Sequence, residues 1–335
     1  MKTQFHLISG MPRSGSTLLS GLLRQNPRFS AAMTSPVAAL IGSVHPKMCG
    51  GEFGGFFDDA KRTAILRAVF ESYYADTLTA LPADAVVFDT NRTWTGRAAL
   101  LGSLFPESRI ICCVREVGWI IDSIESMLAK NPLQLSRMFN FQPGASLYAR
   151  VETLMNSDNG LIGLAWSNLR EAWFGAEAKR LIVVPYDHLV KEPTRTLQRL
   201  YAELGEACFE HDLHNVVYDE PDYDAHIGMP GLHSVRNKVE YRERKPCIPP
   251  DIFAKYASSH FWEKAELNVR DVVRVDQMHG LIWPSPHIDS HQAQRGQPIA
   301  FCLVAVESRL KIRRLGLQLI ADGRHTALYP YYCRV

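Results

Sequence analysis

The sequence has no strong excess of charge of one sign and no long apolar run. Its 335 residues carry a formal net charge of +2, so composition gives no support for a nucleic-acid partner. No apolar segment approaches the length of a membrane span, and the first ten residues, MKTQFHLISG, lack a charged stretch followed by an apolar one. We therefore expect a chain without a membrane span that resides in the cytoplasm.

The cysteines also lack any pattern that would indicate a metal site or a disulfide framework. None of the seven falls in a CxxC or Cys/His spacing, and Cys112 and Cys113 are adjacent within an apolar run. Such cysteines are typical of small core residues. We expect no metal and a reducing environment.

The stretch FHLISGMPRSGSTLLSGLLRQ, residues 5–25, is the most informative part of the sequence. Residues 5–8 are apolar and long enough for a buried strand, residues 10–17 are rich in turn formers, and leucines then recur at helical spacing. A strand, loop and helix in this order leave the first N–H groups of the helix pointing at the loop, where they favour an anion. The stretch therefore predicts a phosphate or sulfate site.

Further short apolar runs alternate with amphipathic helical patterns. Residues 86–89, 109–115 and 180–186 read as strands, and the alternation predicts an α/β fold with a P-loop-like central parallel sheet flanked by helices. After about residue 276 the composition shifts toward His, Pro, Ser and Gln. We expect a domain over residues 1–276 and a C-terminal extension over 277–335, which could be an appendage, a helix pair or sequence outside the fold.

The loop has the glycine spacing of a phosphate-binding loop, but Ser16 stands where such loops carry lysine. Its cation is Arg13, whose guanidinium can bind a phosphate or sulfonate without a metal. Arg115 ends a strand, and Ser123 lies eight residues later in the following helix. These two residues could hold a second anion, although taken alone they are more typical of a solvated strand end and a hydroxyl on a helix surface.

These motifs resemble the sulfotransferases that use 3′-phosphoadenosine 5′-phosphosulfate, with similarity to bacterial and protein-tyrosine sulfotransferases. The resemblance spans residues 5 to about 270 and includes 184–189, 232–239 and 248–250. It implies that Arg115 and Ser123 bind the 3′-phosphate of the donor, whose product is adenosine 3′,5′-bisphosphate. It also implies that the 5′-phosphosulfate is bound by the loop residues Pro12, Arg13, Ser14, Gly15, Ser16 and Thr17.

The resemblance leaves the general base open, because the glutamate of the protein-tyrosine branch falls on Thr34 here. Asp89, at a strand end, is the better substitute, and His45 the weaker. Arg92 is expected to replace a family lysine that stabilises the transferring group. Four residues are expected beside the nucleotide or closing over its phosphates, namely Tyr186, Ser234, Arg236 and Lys238. The charged run at 242–245 reads as a solvated face.

The sequence leaves two alternatives to a sulfotransferase open. A kinase or NTPase using Mg-ATP would place magnesium at Asp89, and a non-catalytic nucleotide-binding module would keep the loop without the chemistry. For the sulfotransferase reading the acceptor is open: a protein tyrosine, a carbohydrate, a lipid and a small alcohol or phenol all fit. The oligomeric state is not visible in the sequence.

Overall fold

The structure is a computed structural model that describes residues 4–130, 133, 135–139, 146–235, 237–277, 300–305, 313–322 and 325–332. The chain divides into two compact units, Met1–Asp276 and Gln277–Val335.

The first unit is built on a six-stranded parallel sheet with the strand order β2-β3-β1-β4-β5-β6. Its strands are β1 (Gln4–Gly10), β2 (Phe29–Ala31), β3 (Val86–Thr90), β4 (Ile110–Val114), β5 (Leu181–Pro185) and β6 (Val273–Arg274). All strands run the same way, and β1 lies between β3 and β4. The predicted fold class is confirmed.

Helices connect the strands. They are α1 (Ser16–Leu23), α2 (Val37–Cys49), α3 (Asp59–Tyr73), α4 (Ala75–Ala80), α5 (Ala98–Leu104), α6 (Val117–Lys130), α7 (Leu147–Met155), α8 (Gly163–Phe174), α9 (Tyr186–Lys191), α10 (Pro193–Leu204), α11 (Pro221–His226) and α12 (Pro250–Tyr256). Tyr74 leaves helical geometry and separates α3 from α4.

The core has two layers, one on each face of the sheet. Successive strand residues point to opposite faces, so Leu7 packs with α2, α3 and α6, whereas Ile8 packs with α1 and α10. Cys112 and Cys113 divide in the same way; both are buried, free thiols. Their prediction as core residues is confirmed, and burial raises the pKa of Cys113 to about 12.

The carboxyl ends of the central strands meet at one edge of the sheet. Gly10, Thr90, Val114 and Pro185 end β1, β3, β4 and β5. Ligands of open parallel sheets bind outside this edge, and the residues that follow these strands provide the walls of the cavity described below.

The second unit contains the antiparallel strands β7 (Ala300–Ala305), β8 (Arg313–Asp322) and β9 (His325–Tyr332) in the order β7-β8-β9. The helix pair considered for this region is therefore wrong for its described residues.

Candidate active site

The loop between β1 and α1 is held in a conformation that glycine alone allows at two points. Gly10 has φ 97° and Gly15 has φ 89°. A Cβ at Gly10 would lie 2.3 Å from the Cys113 carbonyl oxygen, and one at Gly15 would lie 2.9 Å from the Tyr186 ring. The loop backbone is thereby pressed against β4 and α9.

Helix α1 begins with no side-chain cap. Gly15 occupies the N-cap position without capping its first N–H groups, so these groups are available to an anion. Pro12, Arg13, Gly15, Ser16 and Thr17 line the adjoining cavity. Ser14 has a buried side chain whose hydroxyl donates to the Pro12 carbonyl, 3.2 Å away, so only its backbone can serve a ligand.

Arg13 joins three parts of the site. It adopts φ 55°, a left-handed conformation that is uncommon for a residue with a side chain. Its Nε donates to the Ser123 hydroxyl at 3.2 Å, and its Nη1 donates to the Leu232 carbonyl at 2.6 Å. The loop before α1, helix α6 and the segment after α11 are therefore connected by one guanidinium.

Arg115 lies beside this network. Its Nη1 donates to the Arg13 carbonyl at 3.4 Å, and its guanidinium lies 4.2 Å from the centre of the Tyr186 ring. Its Nε is buried without a hydrogen-bond partner in the described structure. A buried unsatisfied donor is costly, and an anion between Arg115 and Ser123 would satisfy it.

The positive charges of this cluster act on one another. Burial, followed by the Arg115 charge, lowers the pKa of Arg13 to about 10. Burial also lowers the pKa of Arg115, with Arg244 adding repulsion. Because these arginines stay charged at neutral pH, a bound anion would relieve their repulsion.

The cavity outside the sheet edge has a volume of about 1320 Å³. Most predicted site residues line it, including Arg92, Arg115, Ser123, Tyr186, Ser234 and Lys238. Thr34, which takes the place of the family glutamate, lines it too. Arg236 lies outside the described residues.

Asp89 does not fit its predicted role as a base. It is fully buried, and it accepts hydrogen bonds from Ser35 Oγ at 2.5 Å, Tyr74 Oη at 2.7 Å and Trp94 Nε1 at 2.6 Å. Burial raises the pKa of Asp89. The carboxyl group does not line the cavity, so it cannot reach an acceptor hydroxyl directly, and the hydrogen bonds give it a structural role.

The structure instead places a histidine–aspartate pair at the cavity. His233 lines the cavity, and its Nδ1 lies 2.5 Å from Oδ1 of the fully buried Asp224. The other carboxylate oxygen, Oδ2, accepts from the His233 backbone N–H at 2.8 Å. With Nδ1 donating to the carboxylate, Nε2 is left as the basic nitrogen. The two residues are nine positions apart in the sequence, a spacing that carries no recognised signal.

Arg244 is a second residue that the sequence interpretation missed. Its Nη2 donates to Asp122 Oδ2 at 2.7 Å, and its guanidinium lies 5.5 Å from the centre of the Trp119 ring. Asp122 is buried and also accepts from the Cys247 N–H at 2.6 Å. Arg242 and Arg244 both line the cavity and are exposed to solvent, in agreement with the predicted solvated face. Arg244 differs only in that it is also held by Asp122.

Among the described residues, no group of three or more His, Cys, Asp or Glu is placed to hold a metal ion. Within the same part of the chain, no helix is both long and apolar enough to cross a membrane.

The Sulfotransferase family model matches residues 7–211. That match covers more than half of the chain, and the chain belongs to the sulfotransferase family, whose members transfer sulfuryl groups. The predicted family is confirmed.

Among individual proteins, the chain is similar to the nodulation protein NoeE of Sinorhizobium fredii, with 27% identity over 212 residues. The match covers 58% of this chain and 48% of that relative, so it spans about half of the relative's length.

Two solved structures are also similar. The sulfotransferase domain from the curacin biosynthetic pathway has a TM-score of 0.47 and 16% identity, covering 77% of this chain and 98% of that one. The sulfotransferase from Alicyclobacillus acidocaldarius has a TM-score of 0.40 and 16% identity, covering 68% and 90%.

Proposed function

We propose that this chain transfers a sulfuryl group from 3′-phosphoadenosine 5′-phosphosulfate to an acceptor hydroxyl, and we assign this activity to residues 1–276. The observation that carries the proposal is that Arg13 connects two candidate anion-binding positions. This residue belongs to the loop before α1, and it donates to Ser123 of α6. A donor with a phosphosulfate at one end and a 3′-phosphate at the other needs two such positions in one cavity.

The residues present fit this donor. The N–H groups of residues 14–17 and the Arg13 guanidinium would hold the phosphosulfate, and Arg115 with Ser123 would hold the 3′-phosphate. The unpartnered Arg115 Nε supports this placement. Ser234 and Lys238 would close over the phosphates, with Tyr186 packing beneath Arg115. The donor, when bound, supplies an activated sulfuryl group.

His233 is the base in this proposal, in place of Asp89. Its Nε2 takes the proton of the acceptor hydroxyl, while Asp224 holds Nδ1–H and stabilises the imidazolium that forms. Arg13 bonds to the carbonyl of Leu232, the residue before His233. The loop that positions the donor and the segment that carries the base are therefore fixed to each other, which favours in-line attack.

The first experiment is calorimetric titration of adenosine 3′,5′-bisphosphate into the protein with EDTA present. We expect binding without metal. Binding of ATP only with Mg²⁺ would favour the kinase or NTPase alternative.

The second experiment is a mass-spectrometric acceptor screen with the sulfate donor. We expect a sulfated product, and we expect His233→Gln to bind the nucleotide normally but to transfer about 100-fold more slowly or worse. His226→Gln, an exposed histidine of α11, is the matched control. Nucleotide binding without transfer to any peptide, sugar, lipid or alcohol would favour the non-catalytic module. The cytoplasmic location stays a prediction.

A further inference from the structure

Positive charge predominates among the described residues that line the cavity. The basic side chains are Arg13, Arg92, Arg97, Arg115, Arg137, Lys238, Arg242 and Arg244, and the acidic ones are Asp187 and Glu240. Both acidic residues already have basic partners: Asp187 pairs with Lys191 at 3.4 Å, and Glu240 pairs with Lys238 at 3.8 Å and also with Arg242. The cavity walls therefore leave several arginines without a carboxylate.

The donor accounts for only some of these cations. Arg13, Arg115 and Arg244 lie close enough to influence one another's charge, and they surround the proposed donor position. Arg97 is held by the Ala38 carbonyl and lies 5.8 Å from the centre of the Trp94 ring, so it has a structural role. Arg92 and Arg137 are the two arginines to which neither donor binding nor a structural contact gives a role.

Arg92 and Arg137 form a separate pair. Both side chains are exposed where they line the cavity. Desolvation by the cavity walls, followed in the same direction by the Arg137 charge, lowers the pKa of Arg92. Neither guanidinium has a hydrogen bond or an ion pair with any residue that the structure describes. The surrounding segment, residues 131–145, contains no aspartate or glutamate at all.

The segment that carries Arg137 is anchored against the end of α11. The Arg137 N–H donates to the Ile227 carbonyl at 3.2 Å, and a Cβ at Gly228 would lie 2.3 Å from the Leu135 carbonyl oxygen. This close approach holds the Arg137 backbone beside the segment that also carries the base.

Two consecutive residues connect the arginine pair to the base. Asp224 binds His233 and is an electrostatic neighbour of Arg13. Tyr223 packs edge-on against the His233 ring, with centroids 5.6 Å apart, and is the electrostatic neighbour of Arg92. The proposed base and the two arginines therefore line one cavity, and Tyr223 is a neighbour of both His233 and Arg92.

We propose that Arg92 and Arg137 form an anion-binding subsite for the acceptor, so that the preferred substrate is a hydroxyl compound that also carries a carboxylate or a phosphate. This inference rests on the proposed function. It gives Arg92 a role in binding the acceptor instead of the predicted role on the transferring group. Two guanidinium groups with no carboxylate partner among the described residues would gain charge-assisted hydrogen bonds and lose their mutual repulsion when the anion binds.

The test compares acceptors in matched pairs: hydroxy acids against their methyl esters, and sugar phosphates against the free sugars. We expect wild-type kcat/KM to favour one charged series by about 10-fold or more, as expected for charge-assisted hydrogen bonds. The two series show whether the anion is a carboxylate or a phosphate. Equal rates for charged and neutral acceptors in both series would overturn the subsite.

Variants assign the preference to the two arginines. In Arg137→Gln the preference should fall to about twofold or less through a higher KM, and Arg137→Lys should recover part of it. Arg195→Gln, an exposed arginine of α10, should keep the full preference. Retention of the preference in Arg137→Gln would contradict the proposal. So would an equal loss of kcat for charged and neutral acceptors in Arg92→Gln, because that result would place Arg92 on the transferring group.

Titration with adenosine 3′,5′-bisphosphate separates this inference from the function on which it rests. All variants should bind the nucleotide as the wild type does, since neither arginine belongs to the donor cluster. Transfer to neutral acceptors at the same rate as to charged ones would refute only the subsite. Absence of nucleotide binding, or of transfer to any acceptor, would refute both proposals.

Discussion

Replacing Asp224 with asparagine tests how the proposed base is held. The carboxylate of this fully buried residue accepts from His233 Nδ1 at 2.5 Å and from the His233 N–H at 2.8 Å. An asparagine keeps one acceptor oxygen and turns an NH₂ group toward one of these donors. The variant therefore loses one charge-assisted hydrogen bond and the negative charge beside the imidazole.

The size of the effect follows from that lost bond. A hydrogen bond to a charged group contributes about 1.5–3 kcal/mol, which corresponds to a loss of about 10- to 150-fold in rate. Because the proposed role of Asp224 is to support His233 during proton transfer, the loss should appear in kcat more than in KM for the donor.

The assay is the steady-state rate of sulfated-product formation, followed by mass spectrometry at saturating donor. Asp222→Asn is the control, because Asp222 is an exposed residue of the same helix. Calorimetry with adenosine 3′,5′-bisphosphate reports whether the segment around His233 keeps its place. An Asp224→Asn protein that binds the nucleotide normally and keeps kcat within about threefold of wild type would refute the role given to this pair.

Three further predictions concern the donor site and the core. Arg115→Gln should weaken binding of adenosine 3′,5′-bisphosphate by about 10-fold or more, and unchanged affinity by calorimetry would place the 3′-phosphate elsewhere. Gly15→Ala should lower the free energy of unfolding by about 1–3 kcal/mol, because φ is 89° and the new Cβ would lie 2.9 Å from the Tyr186 ring. Gly50→Ala, where no atom lies within 4 Å, should change urea unfolding much less. His6 is fully buried, and burial lowers its pKa from 6.5 to about 4. Since the unfolded chain binds the proton more readily, stability should fall as the pH drops from about 6.5 toward 4. In His6→Gln the difference in unfolding free energy between pH 7 and pH 4.5 should be smaller by about 2 kcal/mol, and an unchanged difference would exclude His6 as its source.

The residues proposed to bind the donor could be predicted from sequence because each group of them lies within a short stretch of the chain. The strand, loop and helix around Arg13 follow from an apolar run, two glycines and a leucine repeat, and all of them lie within residues 5–25. Arg115 lies at the end of a strand, and Ser123 lies about two turns into the helix that follows. This short spacing also matches the pattern of the family that the sequence resembles. The family itself was confirmed through this same half of the chain.

The acceptor half depends on contacts that no local pattern contains. Asp89 looked available at a strand end, but Tyr74 and Trp94, brought over it by packing, enclose its carboxylate. His233 became a candidate base only when α11 placed Asp224 against it. Tertiary packing decided both outcomes.

The loop at residues 10–17 shows both what the sequence predicts and what only the tertiary structure adds. By itself, the sequence determined a parallel α/β fold, an anion-binding loop with arginine in place of lysine, and a family, because these depend on periodicity and short spacings. Only the tertiary structure decided what Arg13 reaches, since its partners Ser123 and Leu232 are 110 and 219 residues away in the chain. Chain folding alone brings such distant groups to one cavity, and the base and the Arg92–Arg137 pair were found there for the same reason.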